Sequence, residues 1–259
     1  NISLFAENLF TLNERLTITP GIRFEYIQTK ANGYYLESTL VRDPDTGLAV
    51  DSTFQVFENK ENTRSFLFGG IGISYKYNES VEIYTNASQN YRSINFNDIR
   101  VVNPNLQVDE NIKDESGFNV DLGIRGSKSG IFNYDVSVFY LKYNDRIGSL
   151  LQVNPETFRI FRFRTNVADS RNVGLEAFGE VNLFKLFDIS REISLNIFGN
   201  ISLIDATYID SEEPAIDGRE VEQVPPFSLK TGINLSRKRW RVAMQYSYTA
   251  EHFTDATNV

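Results

Sequence analysis

The sequence has no cysteine and only one histidine, one methionine and one tryptophan among its 259 residues. Without cysteine there is no disulfide framework, no thiolate nucleophile and no cysteine metal site. The lone histidine, His252, has Asp255 three residues away. On a strand that spacing puts the two on opposite faces. No serine or cysteine nucleophile arrangement accompanies them, so the residues argue against a hydrolase. Positive charge is also scarce: 26 Lys and Arg stand against 34 Asp and Glu, a net charge of −8. Binding to nucleic-acid phosphates needs a positive field, so nucleic acid is a poor partner. No run approaches the roughly 18 apolar residues of a transmembrane helix. That absence leaves open a membrane protein that crosses with strands.

Aromatic residues, in contrast, are abundant, with 20 Phe and 13 Tyr. Helical periodicity is lacking throughout, and this combination favours an all-β protein. The clearest alternation begins at Val173. Val173, Leu175, Ala177, Gly179, Val181 and Leu183 share one face, and Gly174, Glu176, Phe178, Glu180 and Asn182 the other. Successive side chains leave a strand on opposite faces, so this pattern reads as one long strand with an apolar and a polar side. The rest of the chain repeats it, as in Val81–Tyr91 against Glu82–Arg92 and in Ile193–Leu203 against Ser194–Ser202. Pro20 falls inside the strand Arg15–Thr29 and predicts a bulge or local kink there.

Ten such strands can be traced, and their connections alternate between short and long. The short ones fall near Asn13, Asn78, Lys128, Arg191 and Lys238. The long ones are predicted as loops over 30–63, 93–113, 152–163 and 209–223. A soluble sandwich explains neither the loop asymmetry nor the polar second faces. An antiparallel transmembrane β-barrel explains both, with short turns at one membrane surface, long loops at the other and a wet lumen. Phe10, Tyr75, Tyr77, Tyr134 and Trp240 gather near strand ends, where interfacial girdles lie. The chain opens inside a strand-like pattern, without a signal peptide, and stops without an obvious closing strand. Both ends are expected to be cut from a larger barrel.

Several segments then resemble the TonB-dependent outer-membrane receptors: Leu16–Tyr26 (LTITPGIRFEY), Glu82–Arg92 (EIYTNASQNYR), Asn119–Gly126 (NVDLGIRG), Arg164–Glu176 (RTNVADSRNVGLE), Val224–Gly232 (VPPFSLKTG) and Phe253–Asn258 (FTDATN). Their order and spacing most resemble the ferric-citrate and siderophore branch. The resemblance covers nearly the whole chain, residues 1–259 being a portion of the barrel domain. It implies a Gram-negative outer-membrane barrel of about 22 strands, closed by an N-terminal plug that this chain lacks. It also implies import of a ferric chelate driven by the TonB complex through that plug. The chelate is then transported cargo, and no cofactor, resident metal or catalytic residue is expected. The membrane partner is outer-membrane lipid and lipopolysaccharide. A passive pore or adhesin barrel is the alternative, and a glycan or cobalamin ligand on the same scaffold stays open.

Strand parity nominates four ligand-binding arginines at the outer mouth: Arg64, Arg92, Arg162 and Arg164. Guanidinium groups there grip carboxylate or phosphate oxygens bidentately and draw in an anionic chelate. The competing expectation is that they pair with Glu82, Glu176 or Glu180, or are simply solvated. Glu176 and Glu180 line the lumen or meet the plug. Asp43-Pro44-Asp45-Thr46-Gly47 begins like an oxygen-ligand calcium loop but lacks the rest of that pattern, so it reads as a turn. Asp210, Glu212, Glu213 and Asp217 read as a solvated loop. Tyr34, Tyr35 and Phe96 either touch ligand or pack their loops.

Overall fold

The computed structural model describes residues 1–43, 45–99, 105–155, 158–190, 192–211 and 213–258. Of the positions named above, Pro44, Arg191 and Glu212 lie outside the described residues, as do parts of the predicted loops 93–113 and 152–163. Among the described residues there are twelve strands: β1 (Ile2–Glu7), β2 (Phe10–Thr11), β3 (Leu16–Arg42), β4 (Ala49–Asn78), β5 (Val81–Arg92), β6 (Leu106–Val108), β7 (Glu115–Lys128), β8 (Phe132–Val153), β9 (Ile160–Asn182), β10 (Ile193–Ile209), β11 (Phe227–Arg237) and β12 (Trp240–Thr249). Two single helical turns, α1 (Phe96–Ile99) and α2 (Leu183–Leu186), interrupt the connections. Ten strands form one antiparallel meander in the order β1-β3-β4-β5-β7-β8-β9-β10-β11-β12.

Register shows how the two faces are built. One row of paired residues runs from Leu16 through Tyr75, Ile83, Ile124, Val136, Ala177, Ile201 and Leu229 to Tyr248. The adjacent row, one residue along each strand, runs from Thr17 through Ser74, Tyr84, Gly123, Ser137, Glu176, Ser202 and Ser228 to Thr249. Paired residues share a face, so the first row is a continuous apolar surface and the second a polar one. Leu67, Val138 and Met244 on the apolar side stay 65%, 49% and 67% exposed. Among the described residues no second layer covers that side. An apolar face this broad is stable against lipid and not against water.

The short turns are built from local chemistry. Asn13 Oδ1 accepts the amides of Arg15 and Leu16, each at 2.9 Å, and Asn78 Oδ1 accepts that of Ser80 at 2.8 Å. Near this end Phe132 stacks on Tyr134 with ring centroids 5.4 Å apart, and Trp240 is fully presented outward. Such rings suit the boundary between lipid and water.

Inside the wall, rings lie over glycines on the neighbouring strand. Tyr84 is paired with Gly123, Phe139 with Gly174 and Phe198 with Gly232. A Cβ at Gly123, Gly174 or Gly232 would fall within 2.3, 2.4 or 2.8 Å of the opposing ring.

Three expectations change. Residues 30–62 are no irregular loop: β3 and β4 stay paired from Leu16↔Tyr75 to Arg42↔Ala49, a single long hairpin. Its apolar and polar residues do not alternate because none of the described side chains of the projecting part is buried, and alternation is written by burial rather than by the ladder itself. The loop predicted over 152–163 shrinks likewise, since Val153 pairs with Ile160 and Arg162 belongs to β9. At Pro20 the β3–β4 register runs on without a shift. The disturbance lies on the other edge, where the ladder skips Asn8 and Leu9 between Glu7↔Gly21 and Phe10↔Ile18. Asn8 still donates to the Pro20 carbonyl at 3.2 Å, but proline has no N–H to return.

Candidate functional site

The segment between β5 and β7 folds across the long-loop end of the sheet as a small cap. Ile94 and Ile99 are buried against Ile147 of β8, with Ile112 packed alongside. Strand β6 then pairs parallel with β9, Leu106↔Arg162 to Val108↔Arg164. It occupies an edge of β9 that β10 leaves free, because β10 pairs with β9 only from Asp169 to Asn182. An open edge is thereby closed by the chain's own loop.

The arginines sit where this cap meets the wall. Arg92 ends β5, directly opposite Glu115 at the start of β7, and its Nη1 donates to Glu115 Oε1 at 2.8 Å. Its Nη2 grips both oxygens of Asp98, at 2.8 and 3.0 Å. Arg164, reaching in from β9, donates to the same Asp98 Oδ1. The Asn95 amide completes the set at 2.9 Å on Asp98 Oδ2. The carboxylate is 1% exposed, while the Arg92 and Arg164 side chains keep 35% and 26% of their surface. Burial pushes the Asp98 carboxyl upward, but the Asn95 amide and the two guanidinium groups outweigh it and hold the group below its ordinary value.

Arg64 forms a separate junction. Its Nε lies 2.7 Å from Asp114 Oδ2, and Asp114 Oδ1 accepts the Ile94 amide at 2.8 Å. Arg162 keeps an exposed side chain, and its amide donates to the Asn105 carbonyl at 2.7 Å. The structure therefore joins Arg92 to Arg164 through one carboxylate, sets Arg64 on another, and leaves Arg162 facing solvent. The acidic partners are Asp98, Asp114 and Glu115. Of the carboxylates named as partners, Glu82 instead accepts from Arg125 and Ser74, at 2.8 and 2.6 Å, and Glu180 from Asn196 at 2.8 Å. No period marks these three, because Asp98 lies within an aperiodic segment and Asp114 and Glu115 stand where that segment gives way to β7. The one available signal was Asp98, close in sequence to Arg92 at the end of a strand.

Other nominated residues are used locally. Asp43 Oδ1 accepts the amides of Asp45 and Thr46 at 2.9 Å, so its carboxylate closes its own turn. Those amides, Thr46 first, hold its carboxyl low. His252 is exposed, with Nδ1 3.1 Å from the Ala250 carbonyl. Tyr34 packs on Phe57 at 5.8 Å, and Phe96 is 47% exposed. The segment 209–225 folds onto the wall: Ile216 and Val221 are buried with Leu150, Val167, Tyr208 and Ala256. That core accounts for the FTDATN stretch, whose Asn258 side chain also bonds the Glu220 backbone twice, at 2.8 and 2.9 Å.

The family described as "TonB dependent receptor-like, beta-barrel" matches the chain over residues 1–259. The chain belongs to the TonB-dependent receptors. Solved structures similar to it include the ferric yersiniabactin uptake receptor FyuA from Yersinia pestis, at 17% identity and a TM-score of 0.67, covering 99% of this chain and 35% of that one. The ferric-catecholate import receptor Fiu from E. coli K12 aligns at 12% identity and 0.66, covering 96% and 35%. The ferric citrate transporter FecA aligns at 15% and 0.64, covering 99% and 33%. No curated protein sequence matches. At these identities the structural likeness speaks for the fold, and the chain spans about a third of the length of the receptors it matches. Members of the TonB-dependent receptor family are outer-membrane β-barrels of Gram-negative bacteria, and they are receptors and transporters.

Proposed function

We propose that this TonB-dependent receptor segment serves the import of an anionic ferric chelate of the citrate or siderophore type. The observation that carries the reading is the pair Arg92 and Arg164, brought onto one carboxylate at the mouth with part of each side chain still exposed. Fixed guanidinium forks select planar carboxylates. Exposed Arg162 extends the cationic lining along β9, and Arg64 borders it under the cap. The chelate is cargo, the protein makes and breaks no covalent bond, and it needs no cofactor. Energy would come from the TonB complex acting on a plug, and the apolar wall would sit in lipid and lipopolysaccharide.

The test is uptake of radio-iron citrate and of ferric siderophores by cells expressing the full receptor, with and without a working TonB complex. Saturable uptake that vanishes without TonB is the expected result. Uptake that survives its loss would make the barrel a passive pore. Arg162→Gln, which leaves the cap junctions intact, is expected to weaken chelate binding several-fold, as for an exposed charge contact.

A further inference from the structure

We propose that the Arg92–Arg164 pair is a carboxylate-binding site occupied by the chain's own Asp98, and that a ligand carboxylate enters by replacing it. The inference rests on the import reading above and adds to it a chemical class of ligand and a coupled movement.

Arg92 and Arg164 belong to β5 and β9, strands whose ladders run through the wall, Arg92 being the last residue of β5. Asp98 belongs to α1, a single helical turn in the cap. The cations are thus fixed, and the anion is carried by the part with fewer ties. Among the described residues those ties include a small isoleucine cluster, the three-residue β6–β9 ladder with the flanking Arg162–Asn105 and Asp109–Arg164 backbone bonds, hydrogen bonds that join Thr165 to Asp109, Asn166 to Lys113, and Thr29 and Arg64 to the Ile94 carbonyl, and the Asp114 junction.

Both Asp98 oxygens are engaged, by two guanidinium groups approaching from different strands. This is the geometry a ligand carboxylate would need. Asp98 lies behind the arginines at 1% exposure, yet each arginine keeps a quarter or more of its own surface. A polycarboxylate can therefore reach the two arginine side chains before Asp98 leaves. The exchange conserves charge, because one carboxylate replaces another. A neutral ligand has no such route, so the device discriminates by charge as well as shape. When Asp98 departs, α1 is released and the cap loosens, so occupancy of the mouth is linked to opening of the cap.

The full receptor is labelled with a nitroxide at Asn97→Cys, an exposed position beside Asp98 in this cysteine-free chain. Citrate, ferric citrate and sulfate are titrated at equal ionic strength, with binding followed separately by calorimetry. Citrate and ferric citrate should mobilise the label and sulfate should not. Asp98→Asn should raise citrate affinity about tenfold, since the internal competitor no longer lowers the fraction of free sites. Citrate that binds while the wild-type label stays still would overturn the proposal, as would unchanged or weaker binding by the Asn variant with a wild-type fold. The labelled wild-type receptor decides the matter even where that variant misfolds. A label mobilised by citrate in a receptor that imports no ferric chelate would uphold the carboxylate site and defeat the iron-import reading.

Discussion

Gly174 and Gly179 sit on the same strand and face opposite ways. A Cβ at Gly174 would lie 2.4 Å from the Phe139 ring and 2.7 Å from the Leu203 carbonyl oxygen, and the second of these is backbone. Gly174→Ala is expected to destabilise the folded barrel by about 1–3 kcal/mol through overpacking. Gly179 has nothing within 4 Å of its Cβ position and no positive φ. Gly179→Ala should be neutral or stabilising by about 0.5 kcal/mol, by restricting the unfolded chain. Urea unfolding of the full receptor in lipid vesicles measures both. At Asp98 the relevant variable is pH. Its folded-state value lies below the ordinary 3.8. Its contribution is therefore complete above that ordinary value and fades as pH falls through the lowered one. Hydrogen exchange at the Asn95 amide should be unchanged from pH 7 to pH 5 after correction for intrinsic rates. It should lose protection once the carboxylate is titrated.

The elements were legible where burial differs between faces. Val81–Tyr91 and Ile193–Leu203 read as strands because one side meets lipid and the other a wet lumen. The outer half of β3 and β4 was illegible for the same reason, since its described side chains show no such contrast and its ladder and turn are joined by few side-chain contacts, such as Tyr34 on Phe57 and Lys30 on Glu61. The cap was hidden in another way. Its order comes from contacts between residues far apart in sequence, such as Thr165 Oγ1 on Asp109 and Arg164 on Asp98. No local pattern announces them. The arginines could be placed at the mouth by parity, while their partners lay in a stretch with no period to count. A prediction follows for the hairpin. Deleting residues 34–58 removes only its projecting end, beyond the Thr29 and Arg64 contacts to the cap. The shortened receptor should assemble in the outer membrane at near-normal yield, which heat-modifiable migration in gels reports.

At the scale of the whole sheet the membrane dictates which side tolerates charge. Val138 lies in a row with Leu122 and Leu175, and its neighbour Ser137 lies between Gly123 and Glu176. Val138→Arg places a cation against lipid and is expected to cost about 2–4 kcal/mol near the bilayer midplane. Ser137→Arg points into the lumen beside Glu176 and should cost little. Folding yield into phospholipid vesicles separates the two substitutions.

The rings seated on glycines bear on a different problem. Alternation along a strand is blind to slippage by two residues, because such a slip restores every inside and outside. Tyr84 on Gly123, Phe139 on Gly174 and Phe198 on Gly232 break that degeneracy. Shifted by two, each ring would meet a side chain where now there is only a hydrogen. The wall is keyed like a lock at three seams, so that alternation tells each of these strands which way to face and the keys tell it where to stop.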